Sequence, residues 1–404
     1  MGERLVSADD VRAAAALLQG VAIETPVEES RWLSGAVGGR VVVKCENLQR
    51  TGSFKIRGAY VRIARLTDEE RAGGVVAASA GNHAQGVALA ASMLGAKATV
   101  FMPAGAPLPK VAATKAYGAE VVLSGVTVDE ALVAAKEYAA ERGSVFIHPF
   151  DHADVIAGQA TCGLEILSQV PEVKTIVVPT GGGGLVSGIA VAVKAMRPDV
   201  RVVGVQAATV AAFPPSIAVG HPVAVDATAT IADGIAVGCP GDITLRHVAA
   251  LVDDVVTVPD EAISRALLMC LERAKLVVEP AGAAGVAALM EAPSSFEAPV
   301  VVVLSGGNVD PLLMLRVIRH GLIAAGRYLS FRLRIPDRPG ELAKLLGILA
   351  DAGANVLDVE HLRTGPKLHL DEVEVALQLE TRGAGHCDDV LSVLRGEGYP
   401  LVFG

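Results

Sequence analysis

Apolar residues along this chain come in short runs, separated by longer stretches in which they recur at helical spacing. Arg40–Lys44, Gly74–Ala78, Ala98–Met102, Glu120–Leu123, Thr175–Pro179, Val200–Val205 and Pro299–Leu304 are Val-rich or β-branched, are bounded by Gly, Pro or charge, and read as strands. Around them the spacing predicts helices over Val11–Leu18, Ala84–Leu94, Pro109–Tyr117, Asp129–Arg142, Leu185–Met196 and Glu261–Arg273. The first is capped from Ser7-Ala8-Asp9-Asp10, and Thr25-Pro26 marks a turn after it. Alternation of this kind predicts an α/β fold whose parallel or mixed sheets are covered on both faces, with right-handed crossovers.

The texture changes near Arg327. Phe331, Leu333 and Ile335 alternate with Arg332 and Arg334 as in a half-buried strand, and Pro336-Asp337-Arg338-Pro339-Gly340 turns into a helix over Glu341–Ala352. Asn355–Leu362, a turn at Gly365-Pro366, an alternating strand through Val373, Val375, Leu377 and Leu379, a helix near Cys387–Arg395 and a short Tyr399–Phe403 complete a βαββαβ order. That is enough for an independent ferredoxin-like unit of roughly 75 residues. The expected division is a two-lobed domain over 1–325, its smaller lobe at about 46–150, and a C-terminal domain over 328–404, joined in the segment Ala324–Tyr328.

Composition narrows the ligand class. A chain of 404 residues, 51% hydrophobic, has the material for substantial cores, yet no run is long and unbroken enough for a membrane span. Met1-Gly2-Glu3-Arg4-Leu5 leads into polar residues and not into an apolar signal core, so cytoplasmic residence is the expectation. Cys45, Cys162, Cys239, Cys270 and Cys387 are far apart and form no CxxC pair, which points to neither a disulfide framework nor a zinc site. A net charge of −9 with no basic block opposes nucleic acid and anionic membranes as partners and favours small molecules.

Candidate chemistry gathers at strand ends. Thr51-Gly52-Ser53-Phe54-Lys55-Ile56-Arg57-Gly58-Ala59 places Lys55 where a strand gives way to a helix, beside an aromatic ring that desolvates its ammonium and favours the neutral amine. Ser79-Ala80-Gly81-Asn82-His83 aims backbone N–H groups and a helix start at one point, a seat for a carboxylate, with His83 reading as a hydrogen-bonding or packing residue. Thr180-Gly181-Gly182-Gly183-Gly184-Leu185 allows close backbone approach, and it lacks the features of a Walker or dinucleotide loop, so a monophosphate suits it best. Leu304-Ser305-Gly306-Gly307-Asn308 offers the Ser305 hydroxyl, and Glu279-Pro280-Ala281-Gly282-Ala283 carries an acid beside a helix start. Taken singly, each is also what a plain capped turn looks like. Taken together, they suit an aldehyde cofactor bearing a phosphate, held as a Schiff base and acting on an amino acid.

Through these motifs, over about residues 5–325, the chain resembles the fold-type II (tryptophan synthase beta-like) pyridoxal-phosphate enzymes, and most closely the threonine dehydratases, or threonine ammonia-lyases. The resemblance implies pyridoxal 5'-phosphate held by Lys55 as Schiff-base and catalytic lysine, with Phe54 near the ring and Asn82 at the phenolic oxygen. It implies Gly181, Gly182, Gly183, Gly184 and Leu185 at the phosphate and Ser305 at the pyridine nitrogen, where a hydroxyl favours elimination over transamination. Ser79, Ala80, Gly81, Asn82 and His83 correspond to the substrate-carboxylate loop. The reaction implied is α,β-elimination of L-threonine to 2-oxobutanoate and ammonia, and of L-serine to pyruvate, feeding isoleucine biosynthesis.

Residues 328–404 resemble an ACT domain, through Asp337-Arg338-Pro339-Gly340-Glu341-Leu342 and Asn355-Val356. This implies allosteric control by a branched-chain amino acid such as isoleucine or valine, bound near Asp337, Arg338, Pro339, Gly340, Leu342 and Asn355, in a homo-oligomer, dimer or tetramer. Two departures matter. Serine racemases carry a serine as second base where this chain has Ala80, and relatives with a divalent-cation site carry acids where it reads Gln206-Ala207-Ala208-Thr209-Val210-Ala211-Ala212. No divalent metal is therefore expected, and a monovalent cation on backbone carbonyls stays open. The competing readings are a serine dehydratase or racemase, a β-replacing enzyme of the cysteine-synthase type, and, from a different class, a non-catalytic amino-acid sensor.

Overall fold

Val41–Val43, Val75–Val76 and Val300–Val303 are buried throughout, and β-branched side chains with no polar alternation make them interior strands. The structure, a computed structural model, describes residues 4–226, 229–363 and 368–403. The expected Gly365-Pro366 turn lies outside these residues, as does the start of the chain, residues 1–3. The chain divides into two units between Met314 and Leu315, within the helix Pro311–Ala324.

The first unit contains two sheets. One has six strands in the order Val27–Glu29, Val41–Lys44, Val300–Val303, Thr175–Pro179, Arg201–Ala207 and Asp254–Val258. The other has four parallel strands, Glu120–Leu123, Ala98–Met102, Val75–Ala78 and Val145–Phe146. In the larger sheet Val300 pairs with both Val41 and Thr175, so three strands end nearly level. The turns that follow Lys44, Pro179 and Val303 therefore leave from one edge. That is the carboxyl edge, where open α/β sheets place their ligands.

Ala98–Met102, Glu120–Leu123 and Thr175–Pro179 have the bounds expected of them. Three differences have physical causes. Val27–Glu29 pairs antiparallel with Val41–Lys44, so the larger sheet is mixed; it is a three-residue edge strand, too short to show alternation. The helix expected to reach Arg273 ends at Met269 and runs into a π-turn, Cys270–Ala274, that closes at Lys275 with φ +60. The helix Ala153–Gln169 is not among the expected ones; it is buried on all sides from Val155 to Gly163, with no polar face to mark its period, and it lies at the centre of the unit.

Its position depends on Gly158. A Cβ there would stand 2.6 Å from the Arg57 carbonyl and 2.7 Å from the Gly58 Cα, so Ala153–Gln169 and Lys55–Ala64 cross almost backbone to backbone. This crossing lets Arg57 reach Glu165 (2.6 and 2.9 Å) while its other face meets Glu46 (2.8 Å twice), and Lys44 closes the group on Glu165 at 2.6 Å.

The second unit is an antiparallel sheet in the order Asn355–Leu362, Glu372–Glu380, Tyr328–Pro336 and Leu401–Val402, with the helices Glu341–Asp351 and Ala384–Gly396. Its core joins Phe331, Leu333 and Ile335 to Leu345, Leu349, Val375, Leu377, Val390 and Leu394. The expected βαββαβ order is the observed one.

Candidate active site

The turn that delivers Lys55 is shaped by two left-handed residues, Thr51 at φ +62 and Gly52 at φ +70. It is then stitched to the Ser305 turn. Phe54 N donates to Ser305 O at 3.2 Å, and Gly307 N donates to Gly52 O at 2.9 Å. Asn308 Nδ2 donates both to the Thr51 carbonyl and to Asn82 Oδ1, the latter at 2.9 Å. Three stretches spread over more than two hundred residues of chain thus meet as one surface.

Lys55 opens the helix Lys55–Ala64, with Nζ donating to Pro149 O at 2.9 Å and standing 5.1 Å from the Phe54 ring centre. Burial lowers its pKa to about 8, although Glu279 pulls the other way. Asn82 begins the helix Asn82–Met93, which lies close enough that a Cβ on Gly86 would touch the Lys55 Cβ at 3.1 Å. In the same loop Gly81 N donates to Ser79 Oγ at 3.1 Å, and Ser79 N to Phe101 O at 3.0 Å. Ala80 and Gly81 bring no side-chain cap to the helix start. Lys110 Nζ stands 4.0 Å from where a Cβ on Gly81 would be and pairs across the cleft with Asp233 at 3.2 Å.

His83 is placed as a packing residue. Its Nε2 bonds to Ile147 O at 2.9 Å, and burial, with Lys55 nearby, takes its pKa down to about 3.

The glycine run is crowded from behind. A Cβ on Gly182 would overlap the Phe150 ring at 2.3 Å, one on Gly183 would meet Phe213 at 2.5 Å, and Gly183 has φ +90. The helix Gly184–Met196 has no side-chain cap, so the N–H groups of its first turn remain for a ligand. Phe150 follows Pro149, the residue whose carbonyl holds Lys55, which ties the glycine loop to the lysine. Leu185 is buried in a core against which Phe54 also packs, and Ser305 is buried at the end of its strand. Gln206 spends its amide oxygen on Phe213 N at 3.0 Å. Among the described residues no group of three or more His, Cys, Asp or Glu side chains is placed to hold a metal.

One residue was undervalued from sequence. Glu279 sits just before the helix Pro280–Glu291 but does not cap it. Its carboxylate is buried and accepts from Asn82 Nδ2 at 2.7 Å, its N–H donates to Gly306 O at 3.0 Å, and burial, with Asp233, pushes its pKa up to about 7. The signal was available: Pro280 to Leu289 is uniformly small and apolar, and an acid at the head of an all-buried helix has no route to water.

In the second unit, a cavity of about 170 Å³ is lined by Ile335, Pro336, Asp337, Arg338, Pro339, Gly340, Leu342, His361 and Arg363. Asp337 and Arg363 are paired at 3.2 Å. Asn355, expected near this site, lies instead at the far end of its strand, opposite Glu380, to which it donates at 3.1 Å; the cavity is at the Pro336–Glu372 end. The strand runs toward the turn that carries Asp337, so His361 and Arg363 from its end, and not Asn355 from its start, line the cavity.

With this geometry in place, residues 18–306 match the family of pyridoxal-phosphate dependent enzymes, and residues 330–384 match the ACT domain. An L-threonine ammonia-lyase from Thermotoga maritima is 46% identical over 98% of this chain and 99% of its own length. Among solved structures, maize serine racemase superposes with a TM-score of 0.74 at 38% identity, covering 79% of this chain and 99% of its own. The processed form of threonine deaminase isoform 2 from Solanum lycopersicum does so with a TM-score of 0.74 at 34% identity, covering 79% and 91%. A match over most of the chain, a relative similar from end to end, and a lysine, an amide and a glycine loop that follow strands of both sheets lead to one conclusion: the chain belongs to the pyridoxal-phosphate-dependent enzyme family and carries an ACT domain at its C-terminal end.

Proposed function

We propose that this chain deaminates L-threonine to 2-oxobutanoate and ammonia by α,β-elimination, converts L-serine to pyruvate in the same way, and is regulated by an amino acid bound to its ACT domain. The observation that carries the reading is the union of the Lys55, Asn82 and Ser305 turns, made by the Phe54–Ser305 and Asn308–Asn82 bonds around an amine that titrates near 8. A full-length relative named for this activity supports it.

The residues fit the cofactor. Lys55 Nζ is the group for the Schiff base; Gly181–Leu185 leave an uncapped helix start for the phosphate; Ser305 suits the ring nitrogen. Asn82 keeps one amide hydrogen after donating to Glu279, and this is the one for the phenolic oxygen. Bound there, the cofactor supplies an electron sink for the substrate's α-carbon. The Ser79–His83 loop holds the substrate carboxylate through its backbone N–H groups. Lys55 Nζ accepts the α-proton, an exchange suited to an amine whose pKa burial has lowered to about 8, and carries it to the departing β-hydroxyl. Water leaves, and hydrolysis releases ketoacid and ammonia. Racemisation needs a second base on the opposite face, and Ala80 cannot be one.

For the effector, Ile335, Pro336, Pro339 and Leu342 supply apolar walls and Arg338 a cation for a carboxylate, which suits a branched-chain amino acid. Backbone carbonyls near Gln206–Ala212 suit a monovalent cation, and subunit association completes the reading. The test is ketoacid formation from L-threonine and L-serine, with and without isoleucine and valine, in potassium and in choline buffers, alongside light scattering for subunit number. Threonine turnover altered by a branched-chain amino acid is expected. If neither substrate is deaminated the catalytic reading is lost, and a rate indifferent to effectors removes the regulatory one.

A further inference from the structure

Glu279 and Asn82 are 197 residues apart in the chain, at the starts of two different helices, and their contact is unusual for both. The Asn82 carboxamide is held at each end: Oδ1 accepts from Asn308 Nδ2 at 2.9 Å, and Nδ2 donates to Glu279 Oε1 at 2.7 Å. A carboxamide bonded only at its oxygen would still swing about that bond, and the second contact fixes the direction of the remaining N–H. Glu279 is in turn locked to the Ser305 turn, since its own N–H donates to Gly306 O at 3.0 Å. A Cβ built on Gly306 would stand 2.4 Å from Glu279 Oε1 and 3.0 Å from Asn82 Nδ2. The bare backbone of Gly306 therefore presses on the pair. A helix-capping role does not account for the carboxylate, which makes no cap bond to Pro280–Glu291.

We infer that Glu279 is a positioning residue: it aims the free N–H of Asn82 at the cofactor's phenolic oxygen and couples that aim to the Ser305 turn at the ring nitrogen. This rests on the reading of Asn82 given above. What the site requires of Glu279 is an acceptor oxygen, not a charge. The charged groups facing it are Asp233 and Lys110, which pair with each other across the cleft, and Lys55. Burial among them takes the carboxyl up to about 7, so a neutral form that still presents a carbonyl oxygen is already populated near neutral pH.

The test uses the holoenzyme of the parent, Glu279→Gln, Glu279→Leu, Glu279→Ala, Asn82→Ala and the double variant Asn82→Ala/Glu279→Leu. Two readouts are followed: the position and pH midpoint of the visible absorbance band of the cofactor on Lys55, and kcat against KM. Glu279→Gln keeps the acceptor at the same reach and is expected to stay within about threefold of the parent kcat. Glu279→Leu and Glu279→Ala are expected to shift the band and lower kcat tenfold or more with little change in KM. In the Asn82→Ala background Glu279→Leu is expected to add nothing. A Gln variant as impaired as the Leu variant would show that charge is what matters and overturn the inference, as would a Glu279→Leu effect that persists in full without Asn82. Should Leu and Ala fail to fold, the Gln rate alone still decides between acceptor and charge. An Asn82→Ala enzyme with the parent's band and rate would remove the reading of Asn82 itself, a failure distinct from the others, and the inference with it.

Discussion

Lys55 and Arg57 are two cations on the first turn of one helix, and the protein treats them in opposite ways. Arg57 is buried and surrounded by acids: Glu46 accepts two of its N–H bonds, Glu165 two more, and Thr161 a fifth. Burial opposes its charge, but the carboxylates, Glu46 foremost, more than offset that and hold it protonated well above its ordinary range. Lys55 keeps partial access to the cleft and has one neutral partner, the Pro149 carbonyl, so burial prevails and its pKa falls to about 8. What separates a structural cation from a chemical one here is the supply of carboxylates, not depth. Arg57 anchors the helix to Glu46 and to the helix Ala153–Gln169. Lys55 is left reactive on the same rigid element.

The sharpest way to break this contrast is to remove each cation in turn. Lys55→Ala is expected to lower ketoacid formation by several orders of magnitude, to undetectable levels, while the thermal melt moves little, because the one hydrogen bond lost is to a neutral carbonyl. Residual turnover at a tenth of the parent rate would end its catalytic assignment. Arg57→Met is expected to cost about 3–5 kcal/mol in denaturant unfolding, since Glu46 stays buried without its main partner. A loss below about 1 kcal/mol would mean that the helix is held by its packing alone.

Titration sharpens the comparison further. With a pKa near 8, about a tenth of Lys55 is neutral at pH 7, roughly three-hundredfold more than for an ordinary lysine. Capture of pyridoxal phosphate by the apoprotein, followed by absorbance, is expected to accelerate from pH 6 and level off above about pH 9; a rate still climbing at pH 10 would place the amine in its ordinary range. The sign for stability agrees. Between about 8 and 10.5 the unfolded chain holds more protons on this lysine than the folded one, so its contribution to stability rises with pH across that window. Glu46 has the same sign in a lower window. Burial raises its pKa, but Arg57, the Thr25 hydroxyl and Lys44 together bring it below the ordinary range, so the stability it contributes is lost only as pH falls below that range. The smallest effect belongs to the second unit. Arg363→Ala breaks an exposed pair with Asp337 and is expected to cost at most about 1 kcal/mol in a thermal melt, while weakening the effector response in the ketoacid assay.

Much of this was legible along the chain. Val-rich runs gave the strands because a strand buried on both faces has no polar residue to confuse it, and the glycine loop stood out because four consecutive glycines have no use in a regular element. The alternation in Tyr328–Pro336 and Glu372–Glu380 marked the second unit just as clearly. Lys55, Asn82, Gly181–Gly184 and Ser305 stand out in local motifs, and the roles expected of them come from the family resemblance those motifs carry. Glu279 and Asn355 show where such reading stops. Glu279 looked like an acid near a helix start, and only the approach of Asn82 and Gly306 gives it a partner. The motif points to Asn355 for the effector site, whereas its strand starts at the other end of the sheet and brings His361 and Arg363 to the cavity instead.

By itself, then, the sequence determined the periodicities, the strand ends and the kinds of side chain available at them, because these depend on neighbours within a few residues. Tertiary structure decided which charges would be matched. Whether a buried lysine becomes an anchor or a base depends on carboxylates delivered from other elements. The crossing at Gly158 brought Glu165 into hydrogen-bond contact with Arg57, while Lys55 is left with only the weaker pull of Glu279 against its burial.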